Sequence, residues 1–283
     1  MKAPSRGGDN MSIITIAREL GAGGDEIASE LSNLTGYRFV DRSYVEKRLN
    51  DYGITQEKRK NYDEKRPGFW SSLSQSRDDY LHFLRTIIIS EAINNNCVFI
   101  GRGAFAILGE VPGVVTAKLI APKHIRVDRI KTRFSCGDKE AVKLVEQSDR
   151  DREGYHKYFF GTEWSNPMNY MLVLNSGHLS ALECAKIIKD LSDMISERVD
   201  PNETGRRLSG LKLSQEVLTQ ILYAQKIPIQ FLEADVQDGV VTLHGVAASK
   251  TAIDSAIACA HEVAGVSQVI SEIQVIQDYS VMP

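Results

Sequence analysis

A short β-branched run, a glycine cluster and an amphipathic helix follow one another directly near the start of the chain, and few folds accept that order. Ser12 to Ala17 (SIITIA) is apolar on both faces, the mark of a strand buried in a parallel sheet. Gly21, Gly23 and Gly24 then allow a tight turn. Ile27, Leu31 and Leu34 recur at helical spacing until Gly36 offers a C-terminal cap. Tyr37 to Val40 reads as a second strand closed by Asp41. Cys97 to Ile100 (CVFI), Val114 to Ile120 (VVTAKLI) and Tyr170 to Leu174 (YMLVL) read as three more. Between and after them lie helical patterns over Leu81 to Asn94, over 124 to 158 and over Leu179 to Val199. Strands alternating with helices predict an α/β fold, a parallel sheet flanked by helices. Residues 42–80 are polar and carry Lys58-Arg59-Lys60 and Pro67-Gly68-Phe69-Trp70, which suggests helices and mobile loops laid over a site.

The rhythm changes after Asp200-Pro201-Asn202-Glu203-Thr204-Gly205, and 283 residues leave room for a second domain. The expected division is a flexible tail over 1–11, an α/β domain over 12–199, a linker over 200–206 and a small α+β module over 207–283. In that module a helix over Leu213 to Gln225 precedes a strand over Ile229 to Val236. Asp238-Gly239 is a hairpin signal, and Val240 to His244 is the return strand. A helix over Ser249 to Val263 and a strand over Val266 to Ile276 complete an αββαβ order.

Charge narrows the partners. The 34 basic and 37 acidic residues give a net −3, so no global field draws the chain to nucleic acid or to an anionic membrane, and any anion site must be local. The N-terminal residues lack an apolar stretch of the signal-peptide kind, and no apolar run reaches the ~20 residues that span a bilayer. A cytoplasmic, reduced protein is the expectation. Cys97, Cys136, Cys184 and Cys259 form no CxxC pair and no zinc spacing; Cys97 and Cys184 read as core residues.

A strand, a glycine turn and a helix N-terminus together make an anion site, because inward-turned N–H groups and the helix dipole favour negative charge. The Walker pattern G-x-x-x-x-G-K-[ST] is poorly met. If Gly23 is its last glycine, Arg18 stands at the first, Gly24 at the lysine and Asp25 at the hydroxyl residue. G-x-G-x-x-G fails as well, with Glu26 at its third glycine. On pattern alone, a phosphate cradle and a plain strand-to-helix turn capped by Asp25 both remain open. Other candidates follow from position. Arg102 lies in a Gly-Arg-Gly turn after a strand, at the sheet edge where ligands bind. Arg126, Arg129 and Arg133 fall on one helix face, which suits either a lid or a solvated surface. Asp41 ends a strand and is either a site residue or a helix cap. Trp164 and Tyr170 read as core or hinge, and His82 and His124 carry no catalytic expectation.

The run ITIARELGAGGDEIA followed by TGYRFVDR resembles the opening of the cytidylate kinase-like family, approximately ITIAREFGSGGREIA then LGYRFYDR. The likeness continues at CVFIGRGAFAIL (97–108), RVDRI (126–130), SDRDREGYHKYFFGTEW (148–164) and NYMLVLNSG (169–177), and covers nearly all of 12–195. It implies a P-loop kinase-like fold and transfer of the ATP γ-phosphate, with Mg²⁺, to a nucleoside monophosphate, CMP first. It implies phosphate binding by Arg18, Gly21, Ala22, Gly23, Gly24 and Asp25. Charge neutralisation would fall to Arg102, Arg129, Arg133 and Arg152, and acceptor binding to Asp41, Arg102, Asp149 and Tyr155. One departure stands out: the family usually has arginine directly after Gly-Gly, where this chain has Asp25. A carboxylate ~4–6 Å from a phosphate opposes binding by about 1 kcal/mol or more. Asp25 could instead turn outwards or help hold Mg²⁺, with Arg18 the replacement cation. If only the loop is deficient, lysine and threonine at 24 and 25 should restore activity. Residues 207–278 resemble a BON domain through DGVVTLHGVAAS (238–249) and VAGVSQVISEIQV (263–275). That resemblance implies binding to phospholipid surfaces, other proteins or small ligands; the few basic residues speak against anionic lipid, and the expectation is a regulatory or dimerising module that engages a protein partner or a second copy. Two readings follow: a nucleotide kinase, or a catalytically weak nucleotide-binding regulator that signals through the BON-like module.

Overall fold

The computed structural model describes residues 12–56, 74–94 and 96–276. The expected tail over 1–11 and the Lys58-Arg59-Lys60 and Pro67-Gly68-Phe69-Trp70 segments lie outside the described residues. The chain divides into two compact units after Thr204.

In the first unit five strands form one parallel sheet: β1 (Ile13–Arg18), β2 (Arg38–Val40), β3 (Cys97–Ile100), β4 (Val114–Ile120) and β5 (Leu172–Asn175), ordered β2-β3-β1-β4-β5. All five carboxyl ends therefore point to the same edge, which gathers Arg18, Asp41, Arg102, Ala121 and Ser176 along one rim. Among the described residues of this unit the α-helices are α1 (Gly24–Thr35), α2 (Arg42–Asp51), α3 (Ser74–Ile93), α4 (Ala104–Leu108), α5 (Lys123–Phe134), α6 (Asp138–Phe160) and α7 (Ala181–Ser196). On one sheet face Ile14, Ile16, Val115, Ala117 and Leu119 pack with Ile27, Ala28 and Leu31 of α1 and with Cys184, Ala185 and Ile188 of α7. The helix ends follow local chemistry: Gly36 closes α1 in the left-handed region, and Ser180 with Glu183 forms a capping box at α7. On the other face Ala17, Phe105, Trp164 and Tyr170 form a smaller cluster, which confirms the last two as core. Cys97 and Cys184 are fully buried free thiols, and burial pushes Cys97 up to about 12.

The single charged helical stretch expected over 124–158 is two helices, because Ser135 takes a left-handed conformation that closes α5 before Gly137 opens α6. The expected linker over 200–206, which holds the boundary between the two units, is helical. Pro201–Leu218 is one helix, α8, whose first N–H groups bond to Asp200: Asn202 N–H to its carboxylate at 2.9 Å and Glu203 N–H to its carbonyl at 2.9 Å. Asp-Pro is here a helix start, since proline's fixed φ and missing N–H suit the first turn.

In the second unit a π-helical turn, Thr219–Ala224, continues α8. β6 (Ile229–Gln237) and β7 (Val240–Ala247) are antiparallel, α9 (Lys250–His261) crosses over, and β8 (Gln268–Val275) lies parallel to β7. Asp238 and Gly239 have φ of 49° and 82°, as a primed hairpin turn requires. Val217, Ile221, Val241, Leu243, Ala256 and Ala260 lie in its core. The αββαβ order is as expected. Among the described residues no helix is long and apolar enough to cross a membrane.

α3 carries a titration signature. His82 is 8% exposed, and burial, helped by the charge of Arg85, lowers its pKa from 6.5 to about 4. Between those values the unfolded chain holds a proton that the folded chain lacks, so the contribution is intact above pH 6.5 and is lost as pH falls, by about 3 kcal/mol at pH 4. Denaturant unfolding of wild type and His82→Phe from pH 7 to 4 should show the wild type losing more stability. Parallel curves would contradict a neutral buried imidazole.

Candidate functional site

The loop between β1 and α1 is shaped by bonds to its carbonyls. Gly21 and Gly23 have φ of 83° and 74°, and Gly23 is the N-cap residue of α1. Arg129 Nη1 donates to the Gly21 carbonyl at 3.1 Å, and Ser176 Oγ donates to the Ala22 carbonyl at 2.6 Å. Arg129 Nη2 also bonds the Ser176 carbonyl at 3.0 Å, which ties α5 to the turn after β5. With the carbonyls held in this way, the first turn of α1 has no side-chain cap. The expected cap by Asp25 is not made: Asp25 Oδ2 lies 3.3 Å from Arg133 Nη2, both side chains being half exposed.

A cleft of about 990 Å³ opens on this loop. Its walls are Arg18 to Ile27, the outer residues of α5 including Asp128, Arg129 and Arg133, and Ser176, Leu179 and Ala181 beyond β5. The structure therefore gathers Arg18, Gly21, Ala22, Gly23, Gly24, Asp25, Arg129 and Arg133 around one space. The side chain of Arg18 crosses Gly24. A Cβ placed on Gly24 would stand 2.6 Å from Arg18 Cγ and 3.0 Å from Arg18 Cβ. An arginine at 18 and a lysine at 24 are thus competing solutions for one volume, and the simple restoration of lysine and threonine at 24 and 25 does not suit this loop.

The remaining candidates lie elsewhere on the rim. Gly101, Arg102 and Gly103 have φ of 74°, 53° and 71°, three successive left-handed residues. Arg102 pays strain for that conformation. Its buried guanidinium pairs with Glu46 of α2. Asp41 caps α2, accepting the Tyr44 N–H at 2.7 Å. Arg152 is buried and donates to Ser148 Oγ. Tyr155, expected at the acceptor, is fully buried; its hydroxyl is 3.2 Å from that of Tyr80 and its ring packs on Phe159. This face of α6 is dense with aromatic side chains, so the tyrosine serves the core. Asp149 makes a two-pronged pair with Arg126, at 2.9 and 2.7 Å. The expected row Arg126, Arg129, Arg133 runs from the buried interior to the mouth of the cleft instead of forming one cationic face.

A second cavity of about 590 Å³ lies beside the loop, with Glu19, Lys118, Asp149, Glu153 and Trp164 in its lining. Lys118 is 4% exposed; its ammonium donates to the Trp164 carbonyl at 2.7 Å and sits 3.9 Å from the centre of that ring. Burial lowers its pKa, opposed by Glu19, Glu153 and Asp149. Sequence reasoning missed Glu46, Lys118 and Ser176. Ser176 was accessible from its place just after a strand in a parallel sheet, and Lys118 from its place inside the otherwise apolar run VVTAKLI; Glu46 gave no signal of its own.

The family model described as the cytidylate kinase-like family matches residues 13–178, more than half of the chain. The chain belongs to the cytidylate kinase-like family. A BON domain model matches residues 211–277. A cytidylate kinase from Thermoplasma volcanium is 21% identical over 187 residues, 65% of this chain and 93% of that protein. A uronate isomerase from Corynebacterium glutamicum is 29% identical over 92 residues, 32% of this chain, and the match spans 18% of that relative's length. The crystal structure of an uncharacterized protein from Eubacterium ventriosum is 20% identical with a TM-score of 0.52, covering 65% of this chain and 99% of the other. The fold is accordingly a P-loop kinase-like parallel sheet flanked by helices, joined to a small α+β BON domain.

Proposed function

We propose that the cytidylate kinase-like domain binds Mg-ATP on the Gly21–Gly24 backbone and transfers its γ-phosphate to a nucleoside monophosphate, CMP first. The observation that carries this reading is the nucleotide-sized cleft opening on an uncapped helix N-terminus with the arginine stem of Arg18 laid across Gly24. Phosphoryl transfer needs charge neutralisation and alignment more than covalent help. The loop N–H groups and Arg18 would hold the donor phosphates. The acceptor phosphate would be drawn to Arg102, whose strained turn fixes the guanidinium at the carboxyl edge of β3. Mg²⁺ ordinarily binds through one or two carboxylates plus substrate phosphates. Asp25, in the cleft lining, would supply such a carboxylate, and the ion would offset charge on the transferring group. The test is ADP release from saturating Mg-ATP with each nucleoside monophosphate in turn. Turnover with one acceptor above the ATP-only rate supports the reading, and none with any acceptor counts against transfer.

A second reading has its own support. Arg129 and Arg133 are engaged with the Gly21 carbonyl and with Asp25, leaving fewer cations to stabilise a transferring phosphate. A catalytically weak domain would then bind nucleotide and pass its state to the BON domain, which would engage a partner or a second copy. Under that reading, deletion of 205–283 changes assembly or ligand response; no change in either would sink it.

A further inference from the structure

Arg126 sits where three elements meet. Its side chain is buried, with a two-pronged pair to Asp149 of α6 at 2.9 and 2.7 Å. Its Nε lies 3.3 Å from Glu19 Oε2, and Nη1 lies 3.5 Å from the Leu20 carbonyl. Glu19 also accepts the Ala121 N–H at 3.1 Å, which fixes the carboxylate to the end of β4. The backbone fits as closely: a Cβ on Gly21 would stand 2.8 Å from the Arg126 carbonyl oxygen. A planar guanidinium presents donors in a fixed fork, so a pair of this geometry sets orientation as well as distance.

We infer that Arg126 is a positioning residue: it lies buried outside the cleft lining, and it couples the phosphate loop to α6, so that the loop N–H groups and the charges of α6 hold one arrangement. This rests on the proposed donor site, and assigns that site a residue that acts through Glu19, Leu20 and Asp149. Arg129 and Arg133 line the cleft from the same helix, α5, and Arg129 bonds the Gly21 carbonyl, so α5 meets the loop through Arg126 and Arg129 while Arg126 alone of the two also pairs with Asp149 of α6.

The test uses the full chain with Asp149→Asn, which keeps the shape of the partner and removes its charge, and Arg126→Lys, which keeps the charge and removes the fork. Amide hydrogen exchange is followed without ligand, and Mg-ATP and CMP affinities are then measured. The expected result is exchange at least tenfold faster at Gly21 to Asp25 in both variants, with β3 and the α1–α7 core unchanged. Mg-ATP should bind about tenfold more weakly in both variants, and CMP within threefold of wild type in Arg126→Lys. Unchanged loop exchange overturns the inference, as does acceleration throughout the domain, which would mark Arg126 as general support. If wild type binds no Mg-ATP the donor reading fails, and the exchange result still decides the coupling.

Discussion

Replacing Arg18 by methionine should leave the domain folded and weaken Mg-ATP binding about 30-fold, a loss of about 2 kcal/mol for one charge-assisted contact. Methionine retains an unbranched stem to lie over Gly24, so the packing that places Cγ 2.6 Å from a would-be Cβ survives while the guanidinium is lost. Arg18→Lys should fall between the two, because an ammonium is a point charge without the fork. The companion variant Gly24→Lys should also bind more weakly than wild type, although it restores the lysine of the usual motif. Its Cβ must displace Arg18 at Cβ and Cγ, near the root of the side chain, where torsional freedom gives little relief. Titration calorimetry with Mg-ATP measures all three. Affinity within threefold of wild type for Arg18→Met, or a gain for Gly24→Lys, would show that Arg18 is not the phosphate cation.

Gly103→Ala should destabilise the first unit by about 3 kcal/mol, a fall of roughly 10 °C in its thermal midpoint. Two costs combine. The position has φ of 71°, which costs an L-residue about 1 kcal/mol. A Cβ there would also stand 2.3 and 2.4 Å from Phe160 ring atoms. Phe160 closes α6 within its aromatic cluster, so the ring cannot move aside without disturbing Tyr155 and His156. Gly36→Ala is the control: its φ is 72° and nothing lies within 4 Å of the added carbon, so it should show the conformational cost alone. Equal midpoints for the two variants would contradict the Phe160 contact. Because Arg102 precedes Gly103, the first variant should also weaken CMP binding more than Mg-ATP binding.

The parts of this molecule that were legible in the sequence are those fixed by local periodicity and turn chemistry. SIITIA, CVFI and VVTAKLI read as buried strands because both their faces are covered, and Asp238-Gly239 read as a hairpin because its backbone must turn left-handed. The Asp200-Pro201 break marks a helix start as well as a change of rhythm, since the same residues that interrupt a pattern also begin a helix. The site was legible to the extent that it hangs on strand ends: Arg18, Asp41 and Arg102 stand on the rim because β1, β2 and β3 end there. What each side chain does there depends on partners distant in sequence. Arg126 and Asp149 are 23 positions apart, Arg129 and Gly21 are 108, and neither pairing leaves a periodic trace. Asp25 shows this most clearly. It stood out as a departure in the phosphate loop, yet only the fold shows that its carboxylate faces Arg133 and leaves the first turn of α1 uncapped.

The most direct test of the nucleotide site is titration calorimetry of wild type with Mg-ATP, repeated with CMP. The account predicts saturable one-to-one binding of Mg-ATP that is weakened in Arg18→Met, and CMP binding that the same variant leaves little altered. Folded protein that takes up no Mg-ATP at any concentration tested would contradict it.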